Sequence, residues 1–157
     1  GWSYQVLEQF FQDVGRSVFA AETSAPLYDV MNRLASTVDA GADGLRCEPL
    51  FNGTRLDPKV RGTITGLSPH NFTARHFARA VLEGMGRSLH DGYEAIIRIT
   101  GQRKMKLIAA GNGLRENALL ADIVSNLFGL PITFTVHREE AAYGAARVVI
   151  HQIKASA

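Results

Sequence analysis

The chain has 157 residues, a formal net charge of +2, 46% hydrophobic and 20% charged residues, which suits one globular domain with its own core. So small a positive excess argues against nucleic acid or an anionic membrane surface as partner, and no apolar run approaches the ~20 residues of a membrane span. A single cysteine, Cys47, excludes an intrachain disulfide and, without a cleavable signal pattern, points to a reducing, cytoplasmic setting.

The chain opens on Gly1-Trp2-Ser3-Tyr4, with no initiator Met, and runs straight into a helical pattern, as expected of a piece of a longer protein. Val6, Leu7, Phe10, Phe11, Val14 and Val18 recur at three- and four-residue spacing and predict one apolar helical stripe. Ser24 is placed to cap a second helix with Pro26 in its first turn. Leu27, Val30, Met31, Leu34 and Val38 supply that helix's face, and Gly41 and Gly44 end it. Residues 45–51 read as extended, Asn52 to Gly62 as a turn-rich loop, and Thr63 to Leu67 as a short strand before a Ser68-Pro69 turn. A long helix is predicted from near Thr73 to Ile97, with Phe77, Val81, Met85 and Leu89 inward. Its Gly84, Gly86 and Gly92 each cost about 1 kcal/mol relative to alanine, unless they admit a closely packed neighbour.

The second half reads strand, helix, strand, helix, the pattern of an α/β layer fold. Lys106 to Ala110 is predicted as a buried strand that ends in Gly111-Asn112-Gly113. A helix follows from Leu114 or Arg115 to Phe128, with Leu119, Leu120, Ile123, Val124 and Leu127 on one face, and Gly129 stops it. Ile132, Phe134 and Val136 alternate with Thr133 and Thr135, predicting a second strand with one face more buried. A closing helix is expected from Glu139 to Ile153, its small residues Ala141, Ala142, Gly144 and Ala145 suited to tight packing on the sheet.

Chemistry concentrates where the strand feeds the helix at Gly111-Asn112-Gly113. Glycine permits a positive φ and lets a flat or anionic ligand approach the backbone, and the helix start presents unpaired N–H groups. A tight connection without ligand is equally consistent with these three residues. A dinucleotide fingerprint would need glycine at position 116, where Glu116 stands, wrong both sterically and electrostatically beside a pyrophosphate; an acidic residue after the next strand (Glu139) keeps an oxidoreductase fragment as an alternative. Asn117, one turn beyond Gly113, offers the donors and acceptor that an adenine edge or ribose requires, or is a surface residue of a first helical turn. His70, His76, His90, His137 and His151 include no close pair at zinc spacing, so no metal is expected to be held by this chain alone. No nucleophile–base arrangement is evident.

The ordered motifs resemble the FGGY family of carbohydrate kinases. Gly62-Thr63-Ile64-Thr65-Gly66-Leu67, followed after eight residues by His76-Phe77-Ala78-Arg79-Ala80-Val81-Leu82-Glu83-Gly84, is similar to that family's Gly-Leu corner and "ARAxxEG" helix. Upstream, Gly53-Thr54-Arg55, Asp57-Pro58 and Arg61-Gly62 resemble its "GER…P…RG" loop, with Thr54 in place of Glu. Ala110-Gly111-Asn112-Gly113-Leu114 resembles the "GGGA" adenosine loop, with Asn112 and Leu114 as departures. Gly129-Leu130-Pro131-Ile132 resembles "GxPV", and Glu139 to Ala146 resembles "EEAAxGAA". The matches run in order from residue 50 to 148, which makes the set specific where single motifs are not.

The resemblance implies an actin-like, ribonuclease-H-like ATPase fold: a three-layer α/β/α domain, most of the second domain of a two-domain sugar kinase, spanning residues 1–157 with the sugar-binding domain outside this chain. It implies transfer of the γ-phosphoryl group of ATP to a ketose such as sedoheptulose, xylulose or ribulose, with Mg2+ held mainly through the phosphates and the other domain. The adenosine contacts fall on Gly111, Gly113 and Asn117, with Leu114 against the base. A "GxxxQ" pair that meets nucleotide in the glycerol kinase branch is similar to Gly1 and Gln5. The base that activates the sugar hydroxyl belongs to the other domain, so no catalytic residue is expected here. Glu116, Glu139 and Glu140 are read as helix-start charges. ATP or ADP and a sugar are the expected partners, and a sheet edge or face left uncovered admits a homodimer. A non-catalytic actin-like nucleotide-binding module is the other alternative.

Overall fold

A computed structural model describes residues 2–21 and 25–155, with the side chains described up to residue 149. The chain divides into two compact units, Gly1–Gly101 and Gln102–Ala157.

In the first unit, helix α1 spans Trp2–Phe19 and α2 spans Tyr28–Ala35. The buried face of α1 is Tyr4, Leu7 and Glu8, so the predicted stripe is realised only near the start; Phe10 and Val18 stand 54% and 67% exposed. Tyr4 explains the shift: its ring stacks on Tyr28 at 6.0 Å between centroids and its hydroxyl donates to Asn32 Oδ1 at 3.0 Å, pinning this end of α1 on α2. Burial pushes the Tyr4 hydroxyl's acidity down, raising its pKa. The predicted cap Ser24 lies outside the described residues. At the entry to α2 the Leu27 N–H donates instead to Glu8 Oε1 at 2.7 Å, a carboxylate borrowed from another helix. The helix ends at Ala35 rather than at Gly41, because the Ser36 and Thr37 hydroxyls donate back to the Arg33 and Leu34 carbonyls at 2.8 and 2.7 Å and satisfy the last turn.

Strands β1 (Arg46–Glu48) and β2 (Thr63–Thr65) pair antiparallel with Cys47 opposite Ile64. Helix α3 runs Ala74–Thr100 and ends at Gly101, one turn beyond the predicted stop. Its buried residues cluster at His76, Ala78 and Ala80 to Gly84, whereas Leu89, predicted inward, is 52% exposed. The glycines divide by position. A Cβ at Gly84 would overlap the Cys47 carbonyl and meet Pro49 Cδ at 3.0 Å, while nothing lies within 4 Å of one at Gly92. Gly84 therefore admits β1 onto the helix, the close approach that offsets its poor helix propensity.

Polar anchors fix the loops around α3. Glu83, only 7% exposed, accepts the Gly41 N–H at 2.9 Å and the Arg79 Nε–H at 2.6 Å, with Arg87 at 3.5 Å. Buried Asn71 donates to the Asp43 and Gly66 carbonyls and accepts the Ser68 N–H. Buried His76 bridges Thr73 Oγ1 at 2.7 Å and Asp43 Oδ2 at 2.9 Å. The "ARAxxEG" and "GL" segments thus meet around loops that would otherwise leave buried backbone groups unsatisfied.

The second unit holds β3 (Leu107–Ala109), α4 (Asn112–Arg115), α5 (Ala118–Phe128), β4 (Ile132–Phe134) and α6 (Glu140–Ala155). Strands β3 and β4 run parallel, with Leu107 opposite Ile132 and Ala109 opposite Phe134, joined through helices as parallel pairing demands. This unit departs from expectation in two respects. Strand β3 is not buried throughout: Ala109 is, but Ile108 is 57% exposed, because among the described residues the sheet has two strands and covers only part of each. The small residues Ala141, Ala142, Gly144 and Ala145 are exposed, and nothing lies within 4 Å of a Cβ at Gly144, so they do not pack on the sheet within this chain. The core of this unit is Ala109 with Leu120, Ile123 and Val124 of α5.

Candidate functional site

The site grows from the end of β3. Ala109 closes the strand, and Gly111 turns the chain with φ 91° and ψ 154°, a combination open essentially to glycine alone. The left-handed residue is thus Gly111, while Gly113 lies inside the single turn of α4 and is solvent-exposed, with Leu114 half-buried beside it.

The predicted helix from Leu114 to Phe128 is two helices. Asn117, at φ −127° and ψ 89°, breaks the chain and caps α5: its Oδ1 accepts the Leu120 N–H at 2.9 Å. Asn117 is 8% exposed, so the alternative of a surface residue is excluded, and its side-chain oxygen is engaged in holding α5. A cap and a helix-interior residue carry the same apolar spacing around them, so the break was invisible to periodicity.

The group that organises the turn was missed. Glu140, in the first turn of α6, accepts the Gly111 N–H on Oε2 at 3.3 Å. Its Oε1 accepts the Thr135 hydroxyl and faces Arg115 Nη2 at 3.0 Å. Arg115 Nη2 also reaches the Thr135 carbonyl, Thr135 Oγ1 at 2.7 Å and the His137 carbonyl at 3.0 Å. The guanidinium lies 5.4 Å from the centroid of Phe134, within cation–π range. The Glu140 carboxyl is held down at about 2, first by the Thr135 hydroxyl and then by Arg115. Reading Glu140 as a helix-start charge captured its place but not these partners, which come from residues 111, 115 and 135. Only the "EEAA" motif could have drawn attention to it.

The remaining predicted residues fall elsewhere. Gln5 is exposed on α1 in the first unit, and Gly1 lies outside the described residues. Glu116 ends α4 and is exposed. Among the described residues no three His, Cys, Asp or Glu side chains converge as a metal site. Cys47 is fully buried, and burial with the nearby Glu48 charge pushes its thiol up to about 11 against the opposing pull of Arg87, the profile of an inert core thiol. No helix among the described residues is long and apolar enough to cross a membrane.

The FGGY family of carbohydrate kinases, C-terminal domain, matches residues 4–153. This chain belongs to the FGGY family. A xylulose kinase of Staphylococcus epidermidis is 32% identical over 121 residues, covering 75% of this chain and 24% of that protein. A glycerol kinase of Thermus brockianus is 33% identical over 122 residues, covering 76% and 24%. The crystal structure of xylulose kinase from Rhodospirillum rubrum superposes with a TM-score of 0.68 at 28% identity, covering 85% of this chain and 25% of that one. The fold is therefore that of the actin-like ATPases, in its FGGY C-terminal form. The chain spans 24% of the length of each of these two curated relatives.

Proposed function

We propose that this FGGY domain holds the nucleotide of a longer ATP-dependent kinase that phosphorylates a ketose, xylulose, ribulose or sedoheptulose being the candidates. The observation that carries the reading is the Gly111 turn: a glycine-only backbone conformation between a parallel strand and a short helix, at the place where the sequence resembles the family's adenosine loop. Exposed Gly113 leaves the backbone of α4 open to a flat base, Leu114 supplies an apolar contact, and Asn117 fixes the start of α5 beneath them. Mg2+, held mainly through the phosphates of ATP and the other domain, would supply charge neutralisation at the transferred group. The side chains of this domain position the donor; proton removal from the sugar hydroxyl belongs to the other domain. Phosphoryl transfer depends on positioning and charge neutralisation rather than on a covalent intermediate, so a donor-holding domain without a nucleophile is consistent with it.

In the full-length kinase, Gly113→Val is expected to raise the KM for ATP far more than the KM for sugar, since a branched side chain at an exposed backbone position obstructs only what docks there. A shift confined to the sugar KM would remove the adenosine loop from this position. Calorimetric titration should show binding of ADP and none of NAD; tight NAD binding would return the oxidoreductase alternative.

A further inference from the structure

Three residues outside the proposed nucleotide contacts converge on the turn that forms them. The Ala109 carbonyl, on one side of the turn, accepts the Thr135 N–H at 3.3 Å. The Gly111 N–H, on the other side, is taken by Glu140 at 3.3 Å. Thr135 and Glu140 are joined by the Thr135 hydroxyl, and Arg115, at the end of α4, closes on both of them at 2.7 and 3.0 Å. One residue, Ala110, thus stands between two backbone groups clamped from the β4–α6 side, and the helix that follows is clamped by its own arginine. Glycine pays the largest conformational entropy of any residue when it is ordered. A Gly111 left to itself would populate several turns, only one of them competent to receive a ligand, and apparent affinity falls in proportion to the competent fraction. Arg115 is 15% exposed and Glu140 22%, enough burial for charge-assisted bonds to exceed those of a solvated surface pair.

We infer that Glu140, Thr135 and Arg115 form a latch that holds the Gly111 turn in its nucleotide-receiving conformation. They are positioning residues: the Gly111 N–H is spent on Glu140 and does not donate to the nucleotide, so Gly111 acts as a fixed hinge and the contacts are left to Gly113 and Leu114, with Asn117 holding the start of α5. The inference rests on the nucleotide reading above and adds to it the residues that set affinity from behind the site.

The test uses the full-length kinase with four variants. Loss of a charge-assisted hydrogen bond predicts that Glu140→Ala raises the KM for MgATP and the Kd for ADP about tenfold, with kcat and the sugar KM within about twofold of the parent. Thr135→Val, which removes the bridging hydroxyl, is expected to weaken ADP about threefold, and Thr135→Ser, which keeps it, to restore binding. A purely structural role would move sugar and nucleotide constants together, and that result overturns the latch. So does an ADP Kd unchanged in Glu140→Ala while Gly113→Val still weakens it, which leaves the nucleotide reading standing. If Gly113→Val is also without effect on ADP, both fall. Should Glu140→Ala fail to fold, the Thr135→Val and Thr135→Ser pair decides, equal ADP constants refuting the latch.

Discussion

The Glu140 carboxylate finds its donors only in the folded chain, so its acidity and the order of the turn are linked. The folded pKa, about 2, lies below the ordinary glutamate value of about 4.3, and the unfolded chain therefore binds the proton more readily in between. The stabilising contribution is complete above the ordinary value and is lost as the pH falls toward the folded one. Carbon-13 NMR of the Glu140 carboxyl should show no titration from pH 7 to about 5, with the Gly111 amide shift equally flat, and both should move together only on further acidification. A midpoint near the ordinary glutamate value, or a Gly111 amide indifferent to it, would show that the bonds to Thr135, Arg115 and Gly111 do not persist in solution. Cys47 and Tyr4 show the opposite case: burial disfavours their charged forms, as befits side chains that pack rather than react.

At the scale of elements, α3 shows what its motif is for. Glu83 ties the Gly41 backbone to Arg79, and Gly84 lets the Cys47 carbonyl of β1 sit against the helix. Two alanine substitutions in this one helix should therefore differ in sign. Gly84→Ala forces a Cβ into the β1 backbone and is expected to cost about 1–3 kcal/mol, whereas Gly92→Ala, with nothing within 4 Å, should gain about 0.5–1 kcal/mol from helix propensity. Urea unfolding of the two variants measures both, and a stable Gly84→Ala would mean that β1 is not packed as described. The sequence displayed α3, the strands β3 and β4 and the glycine turn because each is encoded by local periodicity or by the one residue type that tolerates such a backbone. It concealed the early end of α2, where serine and threonine hydroxyls compete for carbonyls within a sound apolar pattern. It equally concealed the break at Asn117 and the latch, since Glu140 meets Gly111 across 29 residues of sequence and no spacing rule reaches that far. Ile108 and Leu89 read as core because apolar spacing reports which face is hydrophobic, not whether this chain covers it.

For the molecule as a whole, the two units differ in how much they bury. The largest fully buried side chains, among them Met31, Leu45, Leu82 and His76, belong to residues 1–101. In the second unit burial rests on Ala109, Asn117 and three residues of α5, with the described part of α6 beyond Glu140 exposed. Opening free energy follows buried apolar contact and satisfied hydrogen bonds, so backbone amides of Val81 and Leu82 in α3 should exchange with deuterium through rarer openings than those of Ile123 and Val124 in α5. Ligand that binds only the closed second unit adds to its stability by mass action, up to about 2.7 kcal/mol at a hundredfold excess over Kd, or about a hundred times slower exchange. On the proposed nucleotide reading, ADP should therefore slow exchange in residues 107–128 and around Glu140 far more than in α3, reversing the order of protection between the units. Glu140→Ala should shrink that gain at the Gly111 amide before it affects α5, because the carboxylate acts on the turn and the turn acts on the helix. Protection gained in α3 with none at Gly111 or α5 would place the nucleotide on the other unit and withdraw it from this turn.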